Sequence, residues 1–219
     1  MTKLVLFDLD NTLLNGDSDF EWAQFLIEKG VLEREVYEAK NREFYEQYKA
    51  GTLDINAFLD FQLKPLSRHS RIQLEEWRHE FIQQKILPLI TASAREIVNS
   101  HKNSLTVIIT ATNTFVTRPI ADLLGVTHLI ATEPEARDGE FTGRVTGTPC
   151  FREGKVTRLN EWLASRETSL KEFESSHFYS DSLNDLPLLS NVTNPVAVDP
   201  DPTLRTHAET HAWPIISLR

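Results

Sequence analysis

The apolar positions of this chain follow two patterns, short continuous runs and stripes with helical spacing. Short runs bounded by polar residues are typical of buried strands, and strands that alternate with helices are typical of a parallel sheet covered on both faces. The pattern therefore predicts an α/β fold with a doubly wound parallel sheet. We predict strands at 4–7, 105–110, 128–131, 176–180, 195–198 and 213–216, helices at 92–101, 115–124 and 156–165, and a small hairpin around the turn at 138–139.

The segment from residue 15 to residue 89 shows helical spacing only. Trp22 and Phe25 fall on one face of a predicted amphipathic helix, and Asp54 is a candidate N-cap for another. Trp22 is expected to anchor the packing, although a contact with substrate is an alternative. We therefore predict an inserted helical domain. The predicted bounds are 1–14 and 90–219 for the core and 15–89 for the insertion, with helices at 55–63 and 72–85 inside it.

Composition and charge narrow the possible partners. The 219 residues are 40% hydrophobic, and the formal net charge of −9 disfavours nucleic acid and anionic membranes. Cys150 is the only cysteine, so an intramolecular disulfide is impossible, which suits a reducing cytoplasm. No apolar stretch has the length of a membrane span or the form of a secretion signal. We expect a cytoplasmic protein that acts on a small molecule, and the oligomeric state is open.

The first predicted strand runs directly into two aspartates, Asp8 and Asp10. Side chains alternate along a strand, so the two carboxylates point the same way if the backbone stays extended. Open α/β sheets bind ligands at such strand ends, and a divalent cation with oxygen ligands would offset the repulsion between the carboxylates. The alternative is a pair of acidic residues that cap the strand and face water.

A second acidic segment follows the predicted strand at 176–180. Asp181 and Asp185 are four residues apart and share one face if a helix begins here. Together with Asp8 and Asp10 they place four carboxylates at strand ends, which predicts a Mg²⁺ site. The alternative is a helix whose N-cap is Asp181 or the residue after it.

Two further residues suit a phosphate. Thr110 ends the strand at 105–110, and its hydroxyl and the backbone N–H groups that follow form a potential anion site. Lys155 stands at a predicted helix start, where the helix dipole disfavours a cation, so a local role in neutralising carboxylates and phosphate is plausible. The alternatives are a threonine that only caps the next helix and a solvated lysine.

In this order and spacing the segments resemble the haloacid dehalogenase superfamily over the whole chain. The match rests on the opening motif of Asp8, Asp10 and Thr12, and it continues through Thr110, Lys155, Asp181 and Asp185. Within this superfamily, the position of the insertion and its sequence most resemble the phosphoserine phosphatase branch. The resemblance implies a Rossmann-like core with a C1-type helical cap inserted after the first motif, and Mg²⁺-dependent hydrolysis of a phosphomonoester.

The resemblance also implies a role for each matching residue. Asp8 would be the nucleophile that forms an aspartyl-phosphate, and Asp10 would be the general acid and base. Thr110, Lys155 and the backbone N–H of Ala111 would bind the phosphoryl group. The implied Mg²⁺ ligands are Asp8, Asp10 through its backbone carbonyl, Asp181, and Asp185 through a bound water.

The charged residues at the start of the insertion and inside it are the basis for predicting the substrate. Phosphoserine phosphatases carry a Glu near the position of Asp17 and a cap Arg where this chain has Gln62, and the loss of that Arg would weaken carboxylate binding. Asp17 and Asp19 favour a cationic group, although they are alternatively only helix caps. We therefore expect histidinol phosphate, a precursor in amino-acid biosynthesis, with L-phosphoserine as the alternative. Asp17 and Asn184 are assigned to substrate binding, and Arg42, Arg68 and Arg71 are candidates for a displaced carboxylate clamp.

Other functions on the same fold are open. A phosphotransferase would pass the phosphoryl group to an acceptor other than water, and a non-catalytic protein would only bind a phosphorylated ligand. A dehalogenase is disfavoured because the resemblance implies that it would lack the second aspartate, which is present here as Asp10.

Overall fold

A computed structural model describes residues 3–219 of the chain. Residues 1 and 2, at the start of the predicted core segment 1–14, lie outside the described residues. Within residues 3–219, no helix has both the length and the apolar character needed to cross a membrane.

The centre of the molecule is a seven-stranded sheet in the order β4-β3-β2-β1-β5-β6-β7. All neighbouring strands run parallel except β3 and β4, which form an antiparallel hairpin at one edge. The predicted doubly wound α/β sheet is therefore confirmed, with the hairpin as its antiparallel end. The strands are β1 Leu4–Phe7, β2 Leu105–Asn113, β3 His128–Arg137, β4 Glu140–Thr146, β5 Ser176–Ser180, β6 Asn194–Val198 and β7 Ile215–Ile216.

Helices cover both faces of this sheet because every residue of β1 is apolar and fully buried. Val5 and Phe7 pack into one apolar cluster with the first helices and α5 and α6, whereas Leu4 and Leu6 pack into a second cluster with α7, α8 and α9. A strand buried on both sides needs this continuous apolar pattern. The α-helices are α1 Ser18–Glu28, α2 Arg34–Lys49, α3 Ile55–Leu63, α4 Arg71–Phe81, α5 Ala92–Ser100, α6 Thr114–Leu123, α7 Glu153–Ala164, α8 Leu186–Leu189 and α9 Pro202–Thr210.

The helical insertion, residues 15–89, contains α1 to α4 and no described strand. Its first helix contacts both its last helix and the sheet-covering helix α6 through Trp22, whose ring centroid lies 5.1 Å from that of Phe81 in α4 and 5.8 Å from that of Phe115 in α6. Trp22 is thus a packing residue, as expected. The insertion and one face of the sheet share a single apolar cluster.

Several boundaries differ from the prediction. The strand predicted at 128–131 extends to Arg137, because its second half pairs with β4 in the hairpin. The helix predicted at 72–85 is α4 followed by a π-helical turn over Ile82–Ile86, which replaces the last predicted α-turn. Helix α7 begins three residues before the predicted start at 156, so Lys155 lies inside its first turn.

Candidate active site

The predicted site residues come together at the carboxyl edge of the sheet. Asp8 follows β1 directly, Thr110 lies in the last half of β2, and Asp181 follows β5. Strands β2 and β5 are the two neighbours of β1, so their ends are adjacent. The backbone N–H of Asp8 donates to the carbonyl of Tyr179 at 2.9 Å, which continues the β1–β5 pairing to the nucleophile candidate.

Asp8, Lys155 and Asp185 form a buried ionic group. The Nζ atom of Lys155 lies 2.8 Å from Oδ1 of Asp8 and 2.7 Å from the carboxylate of Asp185, and all three side chains are nearly inaccessible to solvent. Burial alone would lower the pKa of Lys155, but the carboxylates of Asp185 and Asp8 raise it above its ordinary value. Lys155 is therefore a fixed buried cation, and the alternative of a solvated lysine is wrong.

The backbone before α7 brings Lys155 to this position. Gly154 has no side chain, and a Cβ added there would lie 2.0 Å from the carbonyl oxygen of Pro149. Only glycine allows that close approach. Arg152, two residues earlier, has a φ of +52°, so the chain turns sharply into the helix. The turn and the missing Cβ together aim the first helical turn, and with it Lys155, at the end of β1.

Thr12 links the two acidic loops. Its Oγ1 lies 3.3 Å from Oδ2 of Asp8 and 3.1 Å from Oδ1 of Asp181, and it accepts a hydrogen bond from the backbone N–H of Asp181 at 3.1 Å. One hydroxyl hydrogen serves only one of the two carboxylates at a time. Asn11, with a φ of +56°, forms the turn that brings Thr12 back towards Asp8. Sequence reasoning used Thr12 only as part of a motif and assigned it no contact.

Asp10 accepts hydrogen bonds from donors of its own. Its Oδ1 accepts from the backbone N–H of Ser18 at 2.6 Å, and its Oδ2 accepts from Oγ1 of Thr112 at 2.8 Å and of Thr110 at 3.4 Å. Burial, and next the charge of Asp17, raise the pKa of Asp10 to about 6. A carboxyl group with such a pKa exchanges protons readily near neutral pH. Thr112, two positions from Thr110, was not assigned to the site from the sequence.

The region predicted to bind phosphate lies against the insertion. Oγ1 of Thr110 accepts a hydrogen bond from the backbone N–H of Thr112 at 3.2 Å, which fixes the end of β2. Ala111 packs on a small apolar cluster that contains Phe44 of α2 and Phe151. The insertion therefore contacts the end of β2.

Asn184 lies beneath α2. Its Nδ2 donates to the backbone carbonyl of Tyr48 at 3.3 Å, and its Oδ1 accepts from Nε of Arg152 at 2.9 Å. The hydroxyl of Tyr48 donates to Oγ of Ser182 at 2.7 Å. The segment Asp181–Asp185 is thus tied to the insertion by hydrogen bonds. No signal in the sequence points to this contact of Tyr48.

The residues proposed to select the substrate have local partners. Asp17 is the N-cap of α1, and its Oδ1 accepts from the backbone N–H of Phe20 at 2.9 Å, so the capping alternative describes a real contact. Burial raises the pKa of Asp17. Gln62 is buried and donates to Asn41 at 3.4 Å. The guanidinium of Arg71 pairs with Glu75 and stacks on the ring of Phe141, which keeps it on the surface of the insertion.

The carboxylate cluster, Asp8, Asp10, Asp181 and Asp185, has an excess of negative charge. Lys155 is the cation in contact with it, and burial followed by the neighbouring carboxylates raises the pKa of Asp181 well above its usual range. Burial likewise raises the pKa of Asp8 to about 7, although Lys155 opposes the shift. An added cation would relieve this repulsion, so the donor set fits Mg²⁺.

Mg²⁺ at this cluster would have few side-chain ligands. Within residues 3–219, no group of three or more His, Cys, Asp or Glu side chains is arranged to hold a metal ion. Mg²⁺ needs only one or two carboxylates, and water and substrate phosphate complete its octahedron. Asp8 and Asp181 are the two candidates. Asp185 already accepts from Lys155 and, at 2.7 Å, from Ser180.

Asp8 and Asp185 are buried in this conformation, whereas Asp10 and Asp181 are half-buried. Asp8 is only 6% exposed, and the surface cavity of about 460 Å³ between α4 and α6 is lined by other residues, among them Arg78 and Asp122. That cavity is therefore a separate surface feature.

Comparison with known proteins agrees with this geometry. The model of the haloacid dehalogenase-like hydrolase family matches residues 5–190. The chain is 46% identical over 222 residues to the histidinol-phosphatase of Neisseria meningitidis serogroup C (strain 8013), with 100% of both chains covered. A protein of unknown function from Bordetella pertussis Tohama I has a TM-score of 0.94 at 46% identity, with full coverage of both chains. A phospho-aspartyl intermediate analogue of phosphoserine phosphatase has a TM-score of 0.71 at 20% identity, covering 100% of this chain and 94% of that one, and this likeness concerns the fold alone.

This chain belongs to the haloacid dehalogenase-like hydrolase family. It is an enzyme of the phosphatase class, so the predictions of family, Rossmann-like fold and class are confirmed. The roles of the individual site residues stay predictions.

Proposed function

We propose that this enzyme hydrolyses a small phosphomonoester with Mg²⁺ through an aspartyl-phosphate at Asp8, and that histidinol phosphate is its substrate. The observation that carries the proposal is the placement of Asp8 at the tip of β1, with the Lys155 ammonium 2.8 Å away and Asp181 beside it. The 46% identity to a histidinol-phosphatase over both whole chains supports the substrate.

In the first half-reaction, a carboxylate oxygen of Asp8 attacks phosphorus, and the bond from phosphorus to the ester oxygen breaks. Lys155 favours the ionised form of Asp8 and offsets charge on the transferred group. Asp10 gives its proton to the departing alcohol oxygen, a role that its pKa of about 6 supports. When bound, Mg²⁺ supplies positive charge that reduces the repulsion between the carboxylate and the phosphate.

In the second half-reaction, water attacks the aspartyl-phosphate and Asp10 takes the proton of that water. The bond between phosphorus and Asp8 breaks, which releases inorganic phosphate and restores the carboxylate. Thr112 and the backbone N–H of Ser18 keep Asp10 oriented in both steps. Thr110 Oγ1 and the N–H of Ala111 are the proposed phosphoryl-binding groups at the end of β2.

We also propose that residues 15–89 act as a cap over residues 1–14 and 90–219. The support is the contact of Tyr48 with Ser182 and the burial of Asp8 beneath the insertion. Such a cap excludes water from the first step and selects the alcohol. A cytoplasmic location is part of the proposal and rests on the single buried thiol, Cys150.

The substrate assignment depends on charge. Phosphoserine carries a carboxylate, yet Gln62 stands where a clamp would need a cation, and Arg71 is already paired with Glu75. Histidinol phosphate carries an amine and no carboxylate, which suits the acidic start of α1. L-phosphoserine is the alternative, supported by the fold shared with phosphoserine phosphatase.

A phosphate-release assay tests the proposal. Histidinol phosphate, phosphoserine, sugar phosphates and pyrophosphate are compared with and without Mg²⁺, using wild type, Asp8→Asn and the matched control Asp138→Asn. Asp138 lies in the exposed β3–β4 turn with a φ of +52°, a conformation that asparagine tolerates. We expect Mg²⁺-dependent release that is fastest from histidinol phosphate, absent in Asp8→Asn and normal in the control.

Each contrary result has a defined meaning. Faster turnover of phosphoserine would exclude histidinol phosphate as the substrate. Absence of release from every ester by folded wild type with Mg²⁺ would favour a phosphotransferase or a binding protein.

A further inference from the structure

One face of α1 buries polar atoms that have no partner. Nε1 of Trp22 makes no hydrogen bond to any group of residues 3–219, although the atom is inaccessible to solvent. Oγ of Ser18 is also inaccessible and has no well-aligned partner among these residues, and its hydroxyl lies close enough to the Asp10 carboxylate to offset part of the rise in the pKa of that group. Ser18 and Trp22 are four residues apart, so they lie on the same side of the helix. A buried donor without an acceptor is costly, and native proteins rarely keep one without a ligand or a water.

Asp19 lies on the same face, and its carboxylate likewise accepts no hydrogen bond from the described residues. It is 7% exposed, and among the hydrogen bonds of residues 3–219 none reaches its carboxylate. Burial, followed by the charges of Asp17 and Asp10, raises its pKa well above the usual range, and no Lys or Arg opposes this. The α1 polar face, Ser18, Asp19 and Trp22, thus offers one donor without an acceptor, the indole N–H, and one carboxylate without a donor among residues 3–219.

This face adjoins the proposed reaction centre. The backbone N–H of Ser18 donates to Oδ1 of Asp10 at 2.6 Å, so the first turn of α1 touches the proposed general acid. The ring of Trp22 meets Phe115 at the start of α6, directly after the end of β2. The α1 polar face therefore adjoins both Asp10 and the helix start that follows the strand carrying Thr110.

A ligand that satisfies these atoms has a defined chemistry. The carboxylate of Asp19 needs a cation or an N–H donor, and the indole N–H needs an acceptor on the same ligand. A primary ammonium beside a heteroaromatic nitrogen or a hydroxyl provides both. Because the three residues are almost fully buried, such a ligand reaches them only when the insertion moves away from the sheet.

We propose that Asp19, with Trp22 Nε1 and Ser18 Oγ, forms the subsite that receives the nitrogen-bearing end of the substrate. The proposal rests on the proposed phosphatase function and names the group that selects its substrate. It differs from the assignment of Asp17, whose Oδ1 is already used in capping α1.

Steady-state kinetics on Asp19→Asn test the proposal. The substrates are histidinol phosphate and phenyl phosphate, which lacks nitrogen. The matched control is Glu28→Gln, which removes the same charge at the other end of α1, where Glu28 pairs with Lys85 on the surface. We expect Asp19→Asn to raise KM for histidinol phosphate about tenfold to a hundredfold, with phenyl phosphate unaffected and the control like wild type.

A second variant and a stability measurement separate recognition from structure. Trp22→Phe keeps the aromatic packing but removes the N–H, and we expect a rise in KM for histidinol phosphate of about fivefold. The melting temperature of Asp19→Asn should be equal to or above that of wild type, because an unpaired buried charge is removed. A lower melting temperature with equal losses on both substrates would mean a structural role and would overturn the proposal.

The remaining outcomes are also decisive. Unchanged KM values in both variants would mean that a buried water satisfies these atoms, which overturns the proposal and leaves the phosphatase function intact. If wild type hydrolyses neither ester, the proposed function fails. Calorimetric binding of histidinol, lost in Asp19→Asn and kept in Glu28→Gln, would then still support the subsite, and equal binding by all three proteins would overturn it.

Discussion

The carboxylate cluster and the α1 polar face lie next to each other and are built in opposite ways. Asp8 and Asp185 share the ammonium of Lys155 at 2.8 and 2.7 Å, so their charges are partly compensated before any ligand arrives. In the α1 polar face, Nε1 of Trp22 is buried without an acceptor, and no hydrogen bond within residues 3–219 reaches the carboxylate of Asp19. Groups that stabilise a transition state work best when they are already oriented, whereas groups that select a ligand gain affinity only if they are satisfied by it.

The largest effect on activity is expected from a substitution in the carboxylate cluster. Asp8→Asn should lower phosphate release at least about a thousandfold, because the amide is a poor nucleophile and cannot form the acyl phosphate. The contact of Lys155 with Asp185 persists, so the fold should survive. Phosphate release and a far-ultraviolet circular dichroism spectrum measure the two quantities, and residual activity within tenfold of wild type would contradict the role of Asp8.

The next effect concerns stability. Lys155→Met removes the cation from buried carboxylates, and we expect a loss of about 3–5 kcal/mol in the free energy of unfolding, since the remaining charges are uncompensated. The matched control is Lys85→Met, which breaks a surface ion pair with Glu28 and should cost at most about 1 kcal/mol. Urea denaturation measures both. Equal losses in the two variants would mean that Lys155 is not the compensating charge of the cluster.

A smaller effect is expected where the insertion meets the acidic segment. Tyr48→Phe removes the hydroxyl that donates to Ser182 at 2.7 Å, and the phenyl ring keeps its packing. We expect about a fivefold fall in kcat/KM, equal for histidinol phosphate and phenyl phosphate, because the proposed cap closure would serve every substrate. Tyr45→Phe, at an exposed position of the same helix, is the control. A loss confined to one substrate would assign Tyr48 to recognition instead.

The smallest effect is expected at Cys150. Its side chain is fully buried, and burial raises the pKa of the thiol to about 12, so almost no thiolate exists at pH 8. Iodoacetamide at pH 8 should leave the native protein unmodified and active but alkylate it in urea. Mass spectrometry counts the added groups. Rapid alkylation of the native protein would show that this part of the core opens more readily than its packing implies.

The carboxylate cluster was the part most accessible to prediction from sequence. An apolar run identifies a buried strand, and an aspartate directly after it must lie at the strand end, so Asp8 and Asp181 could be placed without knowing any long-range contact. The burial of Lys155 could not be predicted, because its partners are 147 and 30 positions away. A lysine at a helix start is solvated in most proteins, and local pattern alone does not distinguish the exception.

The α1 polar face, in contrast, could not be predicted from the sequence. From the sequence, Asp17 and Asp19 are both potential caps or cation sites, and only Asp17 is assigned to substrate binding. The fold separates them, since Asp17 caps α1 while Asp19 is turned into the protein without a donor. Thr112 and Tyr48 were missed for a related reason. Their contacts with Asp10 and Ser182 join segments that only tertiary packing brings together.

The position of β1 in the sheet has a consequence for biosynthesis. Leu4 pairs with Leu105 on one side and with Ser176 on the other, so the strand that carries Asp8 is made first and receives its last neighbour late. While the chain emerges from the ribosome, one edge of β1 lacks its partner until β5 has been synthesised. Non-local strand pairing of this kind is slow and leaves an edge exposed meanwhile. The phosphatase centre is therefore among the last parts of the enzyme to assemble, and a nascent chain truncated before residue 176 would have no assembled active site.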